Sequence, residues 1–283
     1  MITKIIKKLI SQFRPVQYLS VNISKISNTD LLRNRTALIT GGTSGIGFSI
    51  AEAFLSNGAT VIITGRDQKR INNSCGLLTS KGYKNIYGII LNNKDVSSFE
   101  ERLQYAQSLS SSPIDILVNN AGVNGHNIDL TTEDEYDNIL DTNLKGTFFL
   151  SKAVGKYMIK NHIKGNILNI ASASSLRPAN SPYAISKWGI KGFTLGLAKT
   201  LIQYGITVNG IAPGPTLTPM ITSKEKNNIT NKNIPLGRFI LPEEIANMAV
   251  FLVSNLGNSI VGDTIYMTGG AGNISIDDIQ YKL

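Results

Sequence analysis

Tyr183 and Lys187, in the segment YAISK, have the residue types and the spacing that proton transfer needs. Four residues apart on a helix, two side chains share one face. A phenol has an ordinary pKa of about 10, which is too high for efficient proton exchange near neutral pH, and a nearby ammonium favours its ionised form. An isolated pair of this kind is usually structural, so a general acid or base at Tyr183 is predicted only if other motifs place a binding site beside it.

A glycine-rich segment, TGGTSGIG at residues 40–47, follows a β-branched run and precedes a helical pattern. Its glycines stand where the chain must turn sharply, approach a bound group and pack helix on strand. The helix start then offers free N–H groups and a positive dipole end to a pyrophosphate. The residues expected to hold a dinucleotide here are Gly41, Thr43, Ser44, Gly45, Ile46 and Gly47.

The segment VIITGRD, at residues 61–67, bears on which dinucleotide is bound. NAD sites usually place an acid at the end of the second strand, where it binds the ribose 2′-hydroxyl. At that position this chain has Gly65, followed by Arg66, and a guanidinium suits a 2′-phosphate. We therefore expect NADP(H). NAD(H) stays open through Asp67 if the strand ends two residues later.

These segments, with NNAG at residues 119–122 and YAISK at residues 183–187, occur in the order and near the spacing of a known family. From about residue 30 to 270 the chain resembles the single-domain branch of the short-chain dehydrogenases/reductases, including DTNLKGTFF at residues 141–149 and PEEIA at residues 242–246. The resemblance implies an oxidoreductase that interconverts a carbonyl and an alcohol by hydride transfer, with Tyr183 as general acid or base.

The resemblance also implies roles for other residues. Ser172, which ends the strand NILNIAS, would orient the substrate oxygen together with Tyr183, but its interval to Tyr183 is shorter than is usual, so Ser174 is an alternative. Asn143 would kink its helix and hold a water that leads to Lys187. Further cofactor contacts are implied for Asn92, Asn120, Ala121, Gly122, Tyr183, Lys187, Pro213, Gly214, Thr216 and Thr218, with Asp95 as a substitute for Asn92.

The elements that must position these residues follow from the hydrophobic pattern, because short aliphatic runs alternate with longer segments of helical period. Strands are predicted near residues 36–40, 60–64, 86–91, 115–119, 166–171, 206–211 and 264–268. Helices are predicted near residues 45–57, 67–80, 98–109, 132–161, 182–204 and 242–255. This order predicts the α/β class: a Rossmann-type, doubly wound, seven-stranded parallel sheet with helices on both faces, in one catalytic domain over residues 28–283.

Residues 1–27 stand outside this alternation and have the pattern of a basic amphipathic helix. Their apolar positions, which share one face opposite the lysines, are Ile2, Ile5, Ile6, Leu9, Ile10 and Phe13. Such an arm could pack on its own domain or on a neighbouring subunit. Weak contact with an anionic membrane surface through residues 1–13 is the alternative.

Composition narrows the class of protein. Of the net charge of +9, residues 1–35 carry +6, from seven basic residues and one acid, so that only +3 is left for the rest of the chain and no nucleic-acid partner is expected. A single cysteine excludes an intrachain disulfide, and no metal site is predicted. Without a secretory signal or an apolar run of roughly 18 residues, a cytoplasmic enzyme is expected.

The sequence leaves several questions open. The resemblance implies a homodimer or a homotetramer acting on a small carbonyl or alcohol substrate, which the sequence does not identify. One alternative is an NAD-dependent sugar or polyol dehydrogenase. Another is a dinucleotide-sensing protein without turnover, although such a sensor would have no need of Tyr183, Lys187, Ser172 and Asn143 together.

Overall fold

In the computed structural model, which describes residues 30–218 and 229–272, a seven-stranded parallel sheet forms the centre of the chain. The predicted arm at residues 1–27 lies outside the described residues. The strands are β1 (Thr36–Ile39), β2 (Thr60–Gly65), β3 (Ile86–Ile90), β4 (Ile114–Asn119), β5 (Asn166–Ile170), β6 (Thr207–Pro213) and β7 (Thr264–Met267). They are ordered β3-β2-β1-β4-β5-β6-β7, and every neighbouring pair is parallel. The predicted fold class is confirmed, and each strand lies within two residues of its predicted bounds.

Helices cover both faces of the sheet. They are α1 (Gly45–Ser56), α2 (Gln68–Ser80), α3 (Phe99–Ser108), α4 (Glu133–Leu140), α5 (Gly146–Lys160), α6 (Pro182–Leu201) and α7 (Pro242–Val253). Because successive strand residues point to opposite faces, Ile39 and Ile63 pack in the core beneath α1 and α7, whereas Leu38 and Ile62 pack in the core beneath α3, α5 and α6. Within the described residues, no helix is both long and apolar enough to cross a membrane.

One predicted helix is divided in the structure. The pattern predicted a continuous helix near residues 132–161, but α4 and α5 are joined by a π-helical turn at Asp141–Lys145. A π turn inserts one extra residue into the helical repeat, and such turns often mark functional positions. The turn contains Asn143, which is buried.

The strand order reverses between β1 and β4, which are neighbours in the sheet although two strands separate them in sequence. In a doubly wound sheet, the loops at this switch point separate and leave a crevice at the carboxyl ends of the strands. The loops after β1, β4, β5 and β6 all leave the sheet at that edge. The fold therefore brings the predicted cofactor and catalytic segments to one side of the molecule.

Candidate active site

The glycine-rich turn after β1 is tied to the loop after β4 by hydrogen bonds. The Thr40 hydroxyl accepts the N–H groups of Asn120 and Ala121, both at 3.0 Å. The Asn120 side-chain amide donates to the main-chain oxygens of Thr40, at 3.0 Å, and Gly41, at 3.1 Å. Sequence reasoning did not single out Thr40, although it begins the motif. Its buried hydroxyl joins the two switch-point loops into one rigid unit.

The glycines of this turn are needed for space and for backbone conformation. Gly41 has φ of +64° and Gly45 of +55°, a region that favours glycine. A Cβ added at Gly47 would lie 2.4 Å from the Asn120 amide nitrogen and 2.5 Å from the Gly41 oxygen. The turn thus leaves an open cradle at the start of α1, where the Ser44 side chain does not cap the helix. A pyrophosphate fits this arrangement because the first N–H groups of a helix bind anions.

The end of β2 carries a free cation beside this cradle. The strand ends at Gly65, and a Cβ added there would lie 3.1 Å from the Thr43 methyl, so that Arg66 follows directly beside the turn. Arg66 is exposed and, among the described residues, makes no hydrogen bond or ion pair. The Asp67 carboxylate instead caps α2 by accepting the N–H of Arg70 at 2.9 Å. The exposed Arg66 side chain therefore suits the 2′-phosphate of NADP(H). Asp67, which already caps α2, is less suited to bind the 2′-hydroxyl of NAD(H).

The two candidates for the adenine contact, Asn92 and Asp95, lie in the loop after β3, and their side chains accept hydrogen bonds from groups within residues 94–98. Asn92 is exposed, and its side-chain oxygen accepts the N–H of Lys94 at 3.2 Å. The alternative residue, Asp95, accepts the Ser97 hydroxyl at 2.7 Å, and this bond lowers the pKa of the Asp95 carboxyl. Among the described residues, no hydrogen bond joins the side chain of Asn92 or Asp95 to another predicted site residue. The adenine contact of Asn92 therefore stays a prediction.

Ser172 and Tyr183 meet at the carboxyl edge of the sheet, where the Ser172 side chain is near enough to the Tyr183 phenol to lower its pKa. Helix α6 begins beside them because Ser181 caps it and Pro182 occupies its first turn. The Lys187 ammonium lies 5.6 Å from the centre of the Tyr183 ring and donates to the main-chain oxygen of Ile170 at 2.8 Å. The predicted pair is therefore brought together on one helix face.

Burial governs the protonation of this pair. It raises the pKa of the Tyr183 phenol, and the hydrogen bond from Ser172 opposes that rise. It also lowers the pKa of Lys187 to about 8, because the ammonium has lost its water. The expectation that Lys187 lowers the pKa of Tyr183 is thus not what this structure shows. The charged forms of both groups are penalised by desolvation, and the ammonium is directed to Ile170.

Asn143 connects the catalytic helix to the loop after β4. Its side-chain oxygen accepts the Val123 N–H at 2.8 Å, and its amide donates to the Val123 oxygen at 2.9 Å and the Ser186 hydroxyl at 3.1 Å. The Ser186 hydroxyl donates in turn to the main-chain oxygen of Tyr183 at 2.7 Å. A Cβ added at Gly122 would lie 3.4 Å from the Asn143 oxygen and 3.8 Å from the Lys187 ammonium. Sequence reasoning missed Ser186, whose position one turn from Tyr183 was the available signal.

Ser174, the alternative to Ser172, lies directly beside it. The Ser172 side-chain oxygen accepts the N–H of Ser174 at 3.1 Å, and in this structure the Ser172 hydroxyl donates to that of Ser174 at 3.2 Å. Ser172 is the serine that contacts Tyr183. Ser174 instead fixes the direction of the Ser172 side chain, so the geometry favours Ser172 as the residue that faces a substrate oxygen.

The loop after β6 reaches back to the glycine-rich turn. Pro213 ends the strand, and Gly214 packs so closely on the residue after β7 that an added Cβ would lie 2.8 Å from Thr268 Cα. The buried Thr216 hydroxyl donates to the Gly214 oxygen at 2.9 Å. Thr218 lies over the turn, with its methyl 3.3 Å from a Cβ added at Gly45. Of the two predicted threonines, Thr218 is thus the one placed at the dinucleotide cradle.

The known proteins that this chain resembles include several reductases. Residues 41–272 match a family model described as enoyl-(acyl carrier protein) reductase. A 3-oxoacyl-[acyl-carrier-protein] reductase FabG of Haemophilus influenzae is 37% identical over 245 residues, which are 84% of this chain and 98% of that protein. The crystal structure of a 3-oxoacyl-[acyl-carrier protein] reductase from Brucella melitensis aligns with a TM-score of 0.80 at 29% identity, over 90% of this chain and 98% of that one. An actinorhodin polyketide ketoreductase crystallised with NADPH aligns with a TM-score of 0.77 at 30% identity, over 84% of this chain and 97% of that one.

Proposed function

The chain belongs to the short-chain dehydrogenase/reductase family, and from that premise we propose that its substrate is a 3-oxoacyl thioester carried on an acyl carrier protein. The enzyme is an NADP(H)-dependent oxidoreductase that interconverts a carbonyl and an alcohol. The acyl substrate is supported by the names of its relatives from Haemophilus influenzae and Brucella melitensis. An NAD-dependent sugar or polyol dehydrogenase is not favoured by these relatives.

The observation that carries the proposal is the convergence of two hydroxyl groups, those of Ser172 and Tyr183, beside a buried lysine. Two donors directed at one point can bind a carbonyl oxygen and stabilise negative charge as it develops there. Burial keeps the Tyr183 phenol protonated at neutral pH. Tyr183 is therefore ready to give a proton, as reduction requires.

The residues of the cradle fit the dinucleotide. Gly41, Gly45 and Gly47 would hold its pyrophosphate at the start of α1, and Arg66 would bind the 2′-phosphate of NADPH. When bound, NADPH supplies the hydride that reduces the carbonyl carbon. The chain's own part is to orient the substrate oxygen through Ser172 and to pass the phenolic proton of Tyr183 to it, which leaves an alcohol. The positive charge of Lys187, 5.6 Å from the centre of the Tyr183 ring, would favour the phenolate that remains.

A direct experiment follows NADPH absorbance while a soluble 3-oxoacyl thioester, such as acetoacetyl coenzyme A, is added to the purified enzyme. Reduction of this thioester, with a lower KM for the form carried on acyl carrier protein, is expected. Oxidation of sugars or polyols with NAD, without thioester reduction, would overturn the proposal. Tight NADPH binding without turnover of any carbonyl compound or alcohol would instead indicate the sensor alternative.

Reduction of a 2-enoyl thioester is a second candidate, because the matching family model is described as an enoyl reductase. The catalytic geometry favours the ketone, since the hydroxyls of Ser172 and Tyr183 suit an oxygen that accepts a proton. Crotonoyl coenzyme A supplied in the same assay separates the two activities. Preferential reduction of crotonoyl coenzyme A would favour the second candidate.

We further propose that one catalytic domain over residues 28–283 associates as a homodimer or homotetramer in the cytoplasm. Exposed apolar side chains on α5 and α6, among them Phe148 and Leu195, support association of subunits. The arm at residues 1–27 is proposed to pack on its own domain or on a neighbouring subunit, or to touch a membrane surface. Deleting residues 1–27 and measuring both oligomer mass and sedimentation with anionic liposomes distinguishes these roles.

A further inference from the structure

The turn that carries Ser172 is held from behind by a buried hydroxyl that does not face the reaction. The Ser175 side chain donates to the main-chain oxygen of Ser172 at 2.8 Å, and the Ser175 N–H donates to the same oxygen at 3.0 Å. Ser175 has no exposed surface. The backbone from which the Ser172 hydroxyl projects is therefore fixed by two bonds from one residue.

Tyr266, on β7, completes this arrangement. Its hydroxyl lies 3.3 Å from that of Ser175, and either atom could in principle be the donor. A serine hydroxyl has a single proton, and that of Ser175 is directed to the Ser172 oxygen, so that Tyr266 must donate to Ser175. A chain of directed hydrogen bonds thus runs from Tyr266 through Ser175 to Ser172. The Tyr266 ring packs against the small apolar cluster of Ala171, Ile190 and Ala212, which limits its movement.

The other end of the same turn is held by α6. The Trp188 indole N–H donates to the main-chain oxygen of Arg177 at 2.9 Å. The Lys191 ammonium lies 5.0 Å from the Trp188 ring and 5.5 Å from the Tyr266 ring, so that one cation contacts both supporting aromatics. The turn from Ser172 to Arg177 is therefore attached at both ends to residues outside the catalytic group.

We propose that Tyr266, acting through Ser175, is a positioning residue that directs the Ser172 hydroxyl toward the substrate oxygen and the Tyr183 phenol. The inference rests on the proposed function in that Ser172 is taken as the group that orients the substrate. Tyr266 touches none of the reacting atoms. Its effect on the reaction passes through the backbone of Ser172.

The test is Tyr266→Phe, which removes one hydroxyl and keeps the ring. The kcat for carbonyl reduction should fall about five- to twentyfold, as expected for the loss of one positioned hydrogen bond, while KM and the Kd for NADPH stay within about twofold. Ser175→Ala should act in the same direction, and the double variant should be no slower than Ser175→Ala because both residues act in one chain. Tyr105→Phe, an exposed hydroxyl on α3, is the matched control.

The pH profile supplies a readout that a purely structural role would not change. Reduction needs the protonated phenol, and Ser172 lowers the pKa of Tyr183, so a misdirected Ser172 should move the fall of kcat at alkaline pH to higher pH. Within the part of the chain that the structure describes, Lys187 on α6 is the charged group beside the Tyr183 ring, Lys191 lies beside the Tyr266 ring, and neither is altered in these variants.

A wild-type kcat and pH profile in both Tyr266→Phe and Ser175→Ala would overturn the inference, even if their melting temperatures fell. The proposed acyl substrate is judged separately, from the wild-type enzyme alone. Should the thioester fail and another carbonyl compound be turned over, the same variants compared on that compound still decide the role of Tyr266.

Discussion

Replacing Lys187 by methionine should stabilise the cofactor-free protein while it abolishes turnover. Lys187 is buried, and its pKa is lowered from 10.5 to about 8 by the loss of water around the ammonium. The difference of about 2.5 pKa units corresponds to about 3 kcal/mol of destabilisation below pH 8. Methionine removes the charge but leaves the Ile170 oxygen without this donor, which costs about 1 kcal/mol. A net gain of about 2 kcal/mol, or roughly 4 °C in melting temperature, is expected.

The stability difference between the wild type and Lys187→Met should depend on pH. Because the folded pKa lies below the unfolded one, the unfolded chain binds more protons between about pH 8 and 10.5, and the wild type gains stability as the pH rises through that range. The methionine variant lacks this gain from Lys187. Its advantage should therefore be largest near pH 7 and should shrink above pH 8.

Thermal unfolding of both proteins without NADPH, followed by circular dichroism at several pH values, measures the difference. Lys199→Met, an exposed lysine on the same helix, controls for the loss of a surface charge and should change little. A methionine variant that melts below the wild type at pH 7, with no dependence of the difference on pH, would refute the argument that burial of the Lys187 charge destabilises the fold.

Two further predictions concern the cofactor. Arg66→Ala should weaken NADPH binding by about tenfold or more, since a charge-assisted bond to phosphate is lost, and should leave NADH binding unchanged in a fluorescence titration; equal affinity of wild type and variant for NADPH would contradict this. Gly47→Ala should abolish NADPH binding and lower stability by about 1–3 kcal/mol, because its Cβ would fall 2.4 Å from the Asn120 amide nitrogen. The control is Gly192→Ala in α6, where an added Cβ meets open space and should raise stability by up to about 1 kcal/mol. If Gly47→Ala bound NADPH as well as this control does, the cradle would tolerate a side chain and the prediction would be wrong.

The fold was predictable because its strands are short, aliphatic and separated by helical periods. β1 and β4 are buried on both faces and thus read as continuous apolar runs, which is the pattern of a parallel sheet. The hydrophobic pattern did not show the division of the helix near residues 132–161, because a π turn inserts one residue and hardly changes the periodicity. The kink that the family resemblance implied at Asn143 does fall within this turn.

The candidate site was predictable as far as local motifs reached. Tyr183 and Lys187 lie four residues apart on one helix, and this spacing predicted that their side chains share one face. The pKa directions depended on burial by segments distant in sequence, which no local pattern reports. Tyr266 lies 91 residues from Ser175, and only the pairing of β7 with β6 brings its hydroxyl to the serine turn.

Turnover by Tyr183→Phe tests the central claim most directly. The variant keeps the ring in its place on α6 and removes only the hydroxyl that contacts Ser172. Steady-state reduction of acetoacetyl coenzyme A by NADPH should fall by roughly a thousandfold, as expected for the loss of a general acid, with the Kd for NADPH within about twofold of the wild type. A kcat near that of the wild type, with the cofactor bound equally well, would contradict the assignment of the proton to Tyr183.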